Sequence, residues 1–405
     1  MEIILIVKLI LEYTLFLYLG ISALYILVFS IAGCFAPRKK VAQNDKLKYR
    51  KFAVLIPGYK EDNVIIDVAN HALSQNYPKN LFDIIVIADS FQPKTIRKLS
   101  QMPIILVEVS FEKSTKSKAL NKAMEILGDK YDVALVLDAD NIMESDFISK
   151  INTSFDNGFE VVQGHRVAKN TNTALAILDA ISEELNNHIF RKGHRALGFS
   201  SALIGSGMAF NYDMFKKRMF DIKAVGGFDK ELELTLLRDG KKIEFLDNAL
   251  VYDEKVQKVE VFENQRKRWL SAQFVYFGRF FFSGLYYLIL KGNFDFFDKV
   301  YQMISPPRVL LIGITGIIAF LTMMIEFTIP QNSIFAIPFL YWLIVFLTIV
   351  ISFILSIPAH FYNMKTLHAL QTLPKVFLSM FTSLFKLKGA NKKFIHTQHG
   401  TLEKK

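Results

Sequence analysis

The 405-residue chain holds one cysteine, Cys34. A single thiol cannot close an intrachain disulfide and cannot build a cysteine zinc site. No internal repeat and no low-complexity tract is present. The basic residues, which leave a formal charge of +11, are not interleaved with a recognisable nucleic-acid motif, so nucleic acid is not expected as a partner. A dinucleotide fingerprint is missing too. Gly205-Ser-Gly-Met-Ala-Phe210 places Phe210 where G-x-G-x-x-G needs its last glycine. Residues 52–269 contain no long apolar run, and that block is large enough to bury its own core.

Apolar residues are what the rest of the chain has in excess. They make up 51% of the sequence, Phe alone counts 37, and mean hydropathy is +0.26. So much positive charge on so apolar a chain suggests a surface that faces anionic lipid or an anionic ligand. Tyr13 to Phe35 is an almost unbroken apolar run, long enough to cross a hydrocarbon core of about 30 Å. A cleaved leader is disfavoured because Glu2 and Glu12 replace basic residues and no small-x-small site follows. Arg38, Lys39 and Lys40 follow the run, with Lys46, Lys48, Arg50 and Lys51 close behind. The positive-inside rule makes that side cytoplasmic and the N-terminus external.

Two further spans are expected, Val309 to Thr328 and Ile334 to Ile357, joined by an external turn at Pro330-Gln331-Asn332. Three crossings return the C-terminus to the cytoplasm, in agreement with Lys386, Lys388, Lys392, Lys393, Lys404 and Lys405. Ser271 to Leu290 is interrupted by Gly278, Arg279 and Gly284. Leu373 to Leu387 is short and carries Lys375 and Lys386. Both are expected to lie in the interface as amphipathic helices, and a fourth and fifth span together would keep the same sidedness. The expected division is a spanning helix at 1–36, a basic linker at 37–51 and a large folded domain at 52–269. Interfacial helices follow at 270–305, two spans at 306–358, and an amphipathic helix with a basic tail at 359–405. This describes a multi-pass protein of the cell membrane with its large domain in the cytoplasm.

Within the block, Phe52 to Pro57, Asp83 to Asp89, Ile104 to Val109, Val133 to Leu137 and Val161-Val162 are short apolar runs rich in β-branched residues. Helical spacing lies between them, at Val64 to Ser74 and Lys116 to Leu127. Strands that alternate with helices predict an α/β domain with a mostly parallel sheet covered on both faces. Ligands then collect at the carboxyl ends of the strands. Tyr59, Glu61, Asp89, Asp138 and Asp140 all stand there.

Val136-Leu-Asp-Ala-Asp140 carries the strongest chemical signal. Two carboxylates two residues apart repel unless a cation or proton lies between them. Oxygen-only ligands suit Mg2+ or Mn2+. Asp-x-Asp alone is common in surface turns, so the neighbours matter. Taken singly, Asp89 reads as a capping residue, Lys116 and Lys118 as the solvated face of a helix, and Trp269 as an interfacial belt residue. His396 and His399 have zinc-like spacing but no evident third ligand.

The order of the motifs changes this reading. Ile56-Pro-Gly-Tyr-Lys-Glu-Asp62, Asp89, Thr115-Lys-Ser-Lys-Ala-Leu-Asn121, Asp138/Asp140, Gly205 to Phe210, Gly226 to Glu233 and Gln265-Arg-Lys-Arg-Trp269 follow one another. The series resembles family 2 glycosyltransferases of the GT-A fold, in particular cellulose-synthase-like and poly-N-acetylglucosamine-synthase-like enzymes. The resemblance implies a nucleotide-sugar donor, UDP-linked, held by Pro57, Tyr59, Glu61, Asp89, Lys116 and Asp138. It implies a divalent metal on Asp138 and Asp140, and diphosphate or acceptor contacts at Gln265, Arg268 and Trp269. The acceptor would be lipid-linked or a saccharide, and the anomeric centre would invert. The alternatives are a processive β-glycan synthase that also secretes its polymer and, in another class, a non-catalytic membrane scaffold. Membrane lipids are expected partners, and because the three spans offer little polar surface to line a pore, secretion of a long polymer would call for an export protein. The sequence departs from the pattern at Lys60 and Thr115, which replace asparagine and glycine. The Glu-Asp pair whose aspartate is the base appears as Lys230-Glu231. Glu231 matches the base by position, and Asp229 competes with it.

The topology is testable with fusions. A reporter after Lys405 should read cytoplasmic and one inserted between Pro330 and Ile334 external. The opposite pattern would overturn the placement of the large domain.

Overall fold

The computed structural model describes residues 2–36, 48–222, 226–328 and 335–385. The basic residues at 38–46, the turn at 330–332, the tail from 386 and its two histidines lie outside the described residues. Eight strands form one sheet in the order β3-β2-β1-β4-β7-β6-β8-β5. They are β1 (Phe52–Tyr59), β2 (Phe82–Asp89), β3 (Ile105–Val109), β4 (Val133–Val136), β5 (Ile142–Met143), β6 (Val161–Ala168), β7 (Met208–Asn211) and β8 (Ile243–Asp253).

The half built from β1 to β4 is parallel. Its strands read as continuous apolar runs because helices cover both faces. Alternate residues go to opposite sides. Ala53, Leu55, Ile85 and Ile87 join one core with Leu120, Met124 and Phe215, while Phe52, Val54, Ile56 and Val86 join the other with Ile65, Phe147 and Ile151. The other half contains what the apolar runs do not reveal. β7 lies between β4 and β6 and is antiparallel to both, and β8 pairs in parallel with β6 across a register shift at Gly164/His165. The Val161-Val162 signal therefore grows into an eight-residue strand.

Helices α2 (Ile65–Leu73), α3 (Pro93–Leu99), α4 (Lys116–Leu127), α5 (Phe147–Asp156) and α6 (Ala174–Asn186) fill the crossovers. A π-helix at Asn187–Gly193 continues α6 into the short α7 (His194–Ala196). Helices α8 (Tyr212–Asp221) and α9 (Phe228–Arg238) flank the segment before β8. After it runs α10 (Val259–Lys291), a single 33-residue helix, so position 270 falls inside a helix. Its inner residues Ala272, Tyr276 and Phe280 belong to the same core as Phe296, Val300 and Met303 of α11 (Phe294–Ile304). Its outer residues Phe274, Val275, Phe282 and Ile289 are exposed. The segment 271–290 thus packs on the sheet domain through one face and shows an apolar face outward.

Three helices among the described residues are long and apolar enough to cross a membrane: α1 (Glu2–Cys34), α12 (Arg308–Thr328) and α13 (Phe339–Ser356). Two short helices follow, α14 (Met364–Leu370) and α15 (Leu373–Leu384). Leu19, Ala23, Ile26 and Phe29 of α1 pack with Leu311, Trp342, Val345 and Ile349, and with Ile189 of the π-helix. The contact with the sheet domain is close. A Cβ on Gly193 would lie 2.1 Å from the Phe29 carbonyl oxygen, so only glycine lets the two backbones meet there. Phe29 stacks on the buried His194 ring at 3.6 Å between centroids.

Candidate active site

The carboxyl ends of β1, β2 and β4 converge as parallel strands must. β1 ends on Tyr59, after which Lys60 takes a positive φ of 58° and Glu61 turns inward to become buried. β2 ends on Asp89, also buried, whose carboxylate accepts a hydrogen bond from Ser90 Oγ at 3.0 Å. The Lys60 amide donates to the Asp89 carbonyl at 3.1 Å and joins the two loops. Pro57 lies in β1 two residues before Tyr59, opposite Ile87 of β2.

Lys116 is the first residue of α4. Thr115 is its N-cap, with Oγ1 accepting from the Lys118 amide at 3.2 Å, so the threonine that replaces the family's glycine has a clear structural use. From this position Lys116 Nζ donates to the Asp138 carboxylate and to the Gly205 carbonyl at 2.7 Å. Gly205 and Gly207 both have positive φ, 86° and 61°, a turn that L side chains resist. Lys116 therefore ties the loops after β3, after β4 and before β7. Lys118 instead donates to the Lys113 carbonyl in an exposed position.

Beneath this bridge lies a chain of buried polar groups. Ser206 Oγ accepts from the Asp138 amide at 2.9 Å and donates to Asn141 Oδ1 at 2.6 Å. Asn141 Nδ2 donates to Asp253 Oδ1 at 2.9 Å, and Asp253 Oδ2 lies 2.8 Å from Lys255 Nζ. Burial alone would raise the pKa of Asp253, but Arg166 and Lys255 outweigh it and hold the carboxyl below its usual range. Arg166 then meets Glu183 of α6 at 2.7 Å. Ser206, Asn141 and Arg166 were not legible as site residues. Asn141 adjoins Asp140 and Ser206 stands inside the glycine motif, and those adjacencies were the available signals.

Asp138 and Asp140 offer two carboxylates from one loop, and Asp140 is buried. Among the described residues no three His, Cys, Asp or Glu side chains converge on one point. The lysine drawn to Asp138 shows that this loop favours positive charge. The donor set fits a hard divalent ion that completes its shell with ligand oxygens. It does not fit an ion held by protein alone.

The two candidate bases separate. They lie two residues apart on α9, about 200° around the helix axis. Glu231 is nearly fully buried and pairs with Arg279 Nη1 at 2.5 Å, on the side of a cavity of about 230 Å³ that Thr235, Arg238 and Ser283 also line. Asp229 faces the other way, with Oδ2 3.8 Å from where a Gly205 Cβ would stand. Burial raises its pKa, against the opposing fields of Lys230 and Lys116. Asp229 thus joins Lys116, Asp138 and Gly205, and Glu231 does not.

Gln265, Arg268 and Trp269 occupy the early turns of α10, where the contacts run to α6, α12 and α15 through Leu175, Phe262, Leu310 and Val376. Trp269 is 42% exposed, and burial lowers the pKa of Arg268. This group sits at the junction with the spanning helices.

A family model described as glycosyltransferase like family 2 matches residues 50–272. A curated relative, the probable glycosyltransferase YdaM of Bacillus subtilis (strain 168), is 27% identical over 272 residues, which are 60% of this chain and 64% of the relative. The match therefore spans slightly under two thirds of that relative's length. Among solved structures, mannosyltransferase PcManGT from Pyrobaculum calidifontis, in complex with GDP-Man and Mn2+, superposes with a TM-score of 0.54 at 12% identity. The superposition covers 91% of this chain and 99% of that one. At that identity the likeness is one of fold.

Ser206→Ala checks the buried chain. It leaves the Asp138 amide and Asn141 Oδ1 without a partner and should cost about 1–3 kcal/mol. Thermal unfolding that matches wild type would show that the hydroxyl holds nothing in place.

Proposed function

The chain belongs to glycosyltransferase like family 2, and from that premise we propose that it moves a hexose from a nucleotide-sugar donor to an acceptor hydroxyl at a membrane surface. The observation that carries the reading is the Lys116 bridge between Asp138 and Gly205, with Asp229 facing the same glycine. The diphosphate gathers negative charge as it leaves, and a preorganised ammonium is suited to receive it. Mg2+ or Mn2+ held by Asp138 and Asp140 would supply further positive charge there. Pro57, Tyr59, Glu61 and Asp89, gathered at the ends of β1 and β2, are assigned to the nucleoside side of a UDP-sugar.

The acceptor hydroxyl must lose a proton as the new bond forms. We assign that proton to Asp229. Burial raises its pKa against the opposing fields of Lys230 and Lys116, which makes its carboxylate a better base than an exposed one. Glu231 has its charge engaged by Arg279 and lies on the far face of α9. Attack opposite the leaving group inverts the anomeric carbon, so an α-linked donor gives a β-linkage. Gln265, Arg268 and Trp269 are assigned to the acceptor side at the membrane.

The acceptor is read as lipid-linked or a saccharide, extended by one or a few sugars. A secreted polymer needs a polar lumen. The hydroxyls of Thr315, Thr322 and Ser352 instead donate to carbonyls one turn back in their own helices, and the spans meet through apolar side chains. Export of a long chain would therefore need a partner protein. We place the enzyme in the cell membrane with its catalytic block cytoplasmic.

Two measurements test the assignment. Asp229→Asn should retain UDP binding and lose two to four orders of magnitude in transfer rate, roughly the worth of a positioned base. Glu231→Gln should lose far less, and the reverse ranking would return the role to Glu231. Separately, EDTA should abolish transfer and Mn2+ restore it, while Asp140→Ala should weaken UDP binding. Full activity in EDTA would remove the metal from the mechanism.

A further inference from the structure

Where α6 meets the starts of α10 and α12, three polar atoms are buried without a hydrogen-bond partner: Gln265 Oε1, Arg266 Nε and Arg308 Nε. Buried polar atoms are seldom left so, and a cluster of them points to a missing ligand. The other nitrogens of Arg308 reach only neutral groups. Nη1 donates to Asn186 Oδ1 at 2.6 Å, and Nη2 to the Ser182 hydroxyl and carbonyl oxygens at 3.3 and 3.4 Å. Arg266 pairs with Asp179, and its guanidinium lies 4.7 Å from the Phe262 ring centroid and 4.5 Å from that of Trp269.

Asp179, Ser182 and Asn186 share one face of α6, at spacings of three and seven. The two guanidinium groups therefore reach the same face of α6 within one turn of each other. Glu183 also acts on Arg308 through space, but its carboxylate already accepts from Arg166 and Arg191. Two cations against the single carboxylate of Asp179 leave surplus positive charge in a partly buried place, which is costly without a counter-ion.

Position selects the ligand. Arg308 is the first residue of a helix able to cross a membrane, on the side of the catalytic block, and Trp269 is exposed beside Arg266. The surplus charge therefore stands where lipid headgroups begin. Guanidinium forks match phosphate oxygens in geometry and charge.

We propose that Arg266 and Arg308 form a phosphate site at the membrane boundary, which seats the phosphate of a lipid-linked acceptor. The proposal rests on the lipid-acceptor branch of the function above. It adds Arg266, at a variable position of the Gln-x-x-Arg-Trp motif, and Arg308 outside that motif, and makes the start of α12 part of the substrate site.

The test uses the full-length protein in phosphatidylcholine nanodiscs, titrated with hexadecyl phosphate, phosphatidylglycerol or inorganic phosphate while thermal unfolding is followed. Hexadecyl phosphate should raise Tm saturably, and the other two should not at equal concentration. Arg308→Gln and Arg266→Gln should each bind it roughly tenfold to a hundredfold more weakly, the worth of a charge-assisted hydrogen bond. Arg308→Lys, which keeps the charge and loses the fork, should fall between and serves if the glutamine variant does not fold. An equal response to phosphatidylglycerol would make this a bulk-lipid contact and overturn the acceptor assignment. A response to inorganic phosphate alone, no response, or a response both variants retain would overturn the site itself. UDP binding by wild-type protein is followed in parallel. Its absence would sink the transferase reading, whereas its presence without a lipid-phosphate response sinks only this site.

Discussion

A lysine ammonium held between the Asp138 carboxylate and the Gly205 carbonyl organises the catalytic block. The Asp138/Asp140 loop needs positive charge nearby, because two carboxylates so close are unstable alone. Lys116 supplies it from the first turn of α4, and the same amine ties down the glycine turn that leads into β7. The neighbouring geometry follows from that tie. The turn carries Ser206 under the Asp138 amide, and it presents Gly205 to Asp229.

The membrane helices are joined to this site by buried polar contacts as well as by apolar packing. Tyr25 of α1 donates to Asp298 at 2.6 Å, and Gln302 reaches Tyr25, His194 and Asp298. Lys299, one helical position away, pairs with the fully buried Glu233 of α9 at 2.9 Å, and Glu233 in turn accepts from the Leu203 amide two residues before Gly205. An unbroken path of hydrogen bonds and ion pairs thus links the first spanning helix with the loop that Lys116 holds. Removing one member would strand charge in the interior, which is more costly than losing a surface pair. The anchor and the catalytic block are therefore joined at this junction by buried polar contacts.

Much of the parallel half was legible because its strands are buried on both faces and read as continuous apolar runs. Thr115 at the head of α4 and the carboxylates at strand ends follow from local rules that need no tertiary information. Strand β8 was not legible, since Glu244, Asp247 and Asn248 interrupt its apolar pattern, and Glu244 and Asp247 are paired by Arg195 of α7, Lys192 of the π-helix and His165 of β6. The segment 271–290 was legible as amphipathic. That it continues the helix carrying Gln265 to Trp269, and that its inner face completes the core of the catalytic block, depends on α9 and α11.

The sequence by itself determined the chemistry on offer: carboxylates after strands, a lysine after a cap, and three runs long enough to span a bilayer. These are one-dimensional properties, set by residue type and spacing. Tertiary structure decided which groups meet. Position in a motif favours Glu231 as the base, but the rotation of α9 turns it towards Arg279 and turns Asp229 towards Gly205. A shift of two residues on a helix changes direction by more than half a turn. No motif can report which side faces the ligand until the partners of that helix are packed in place.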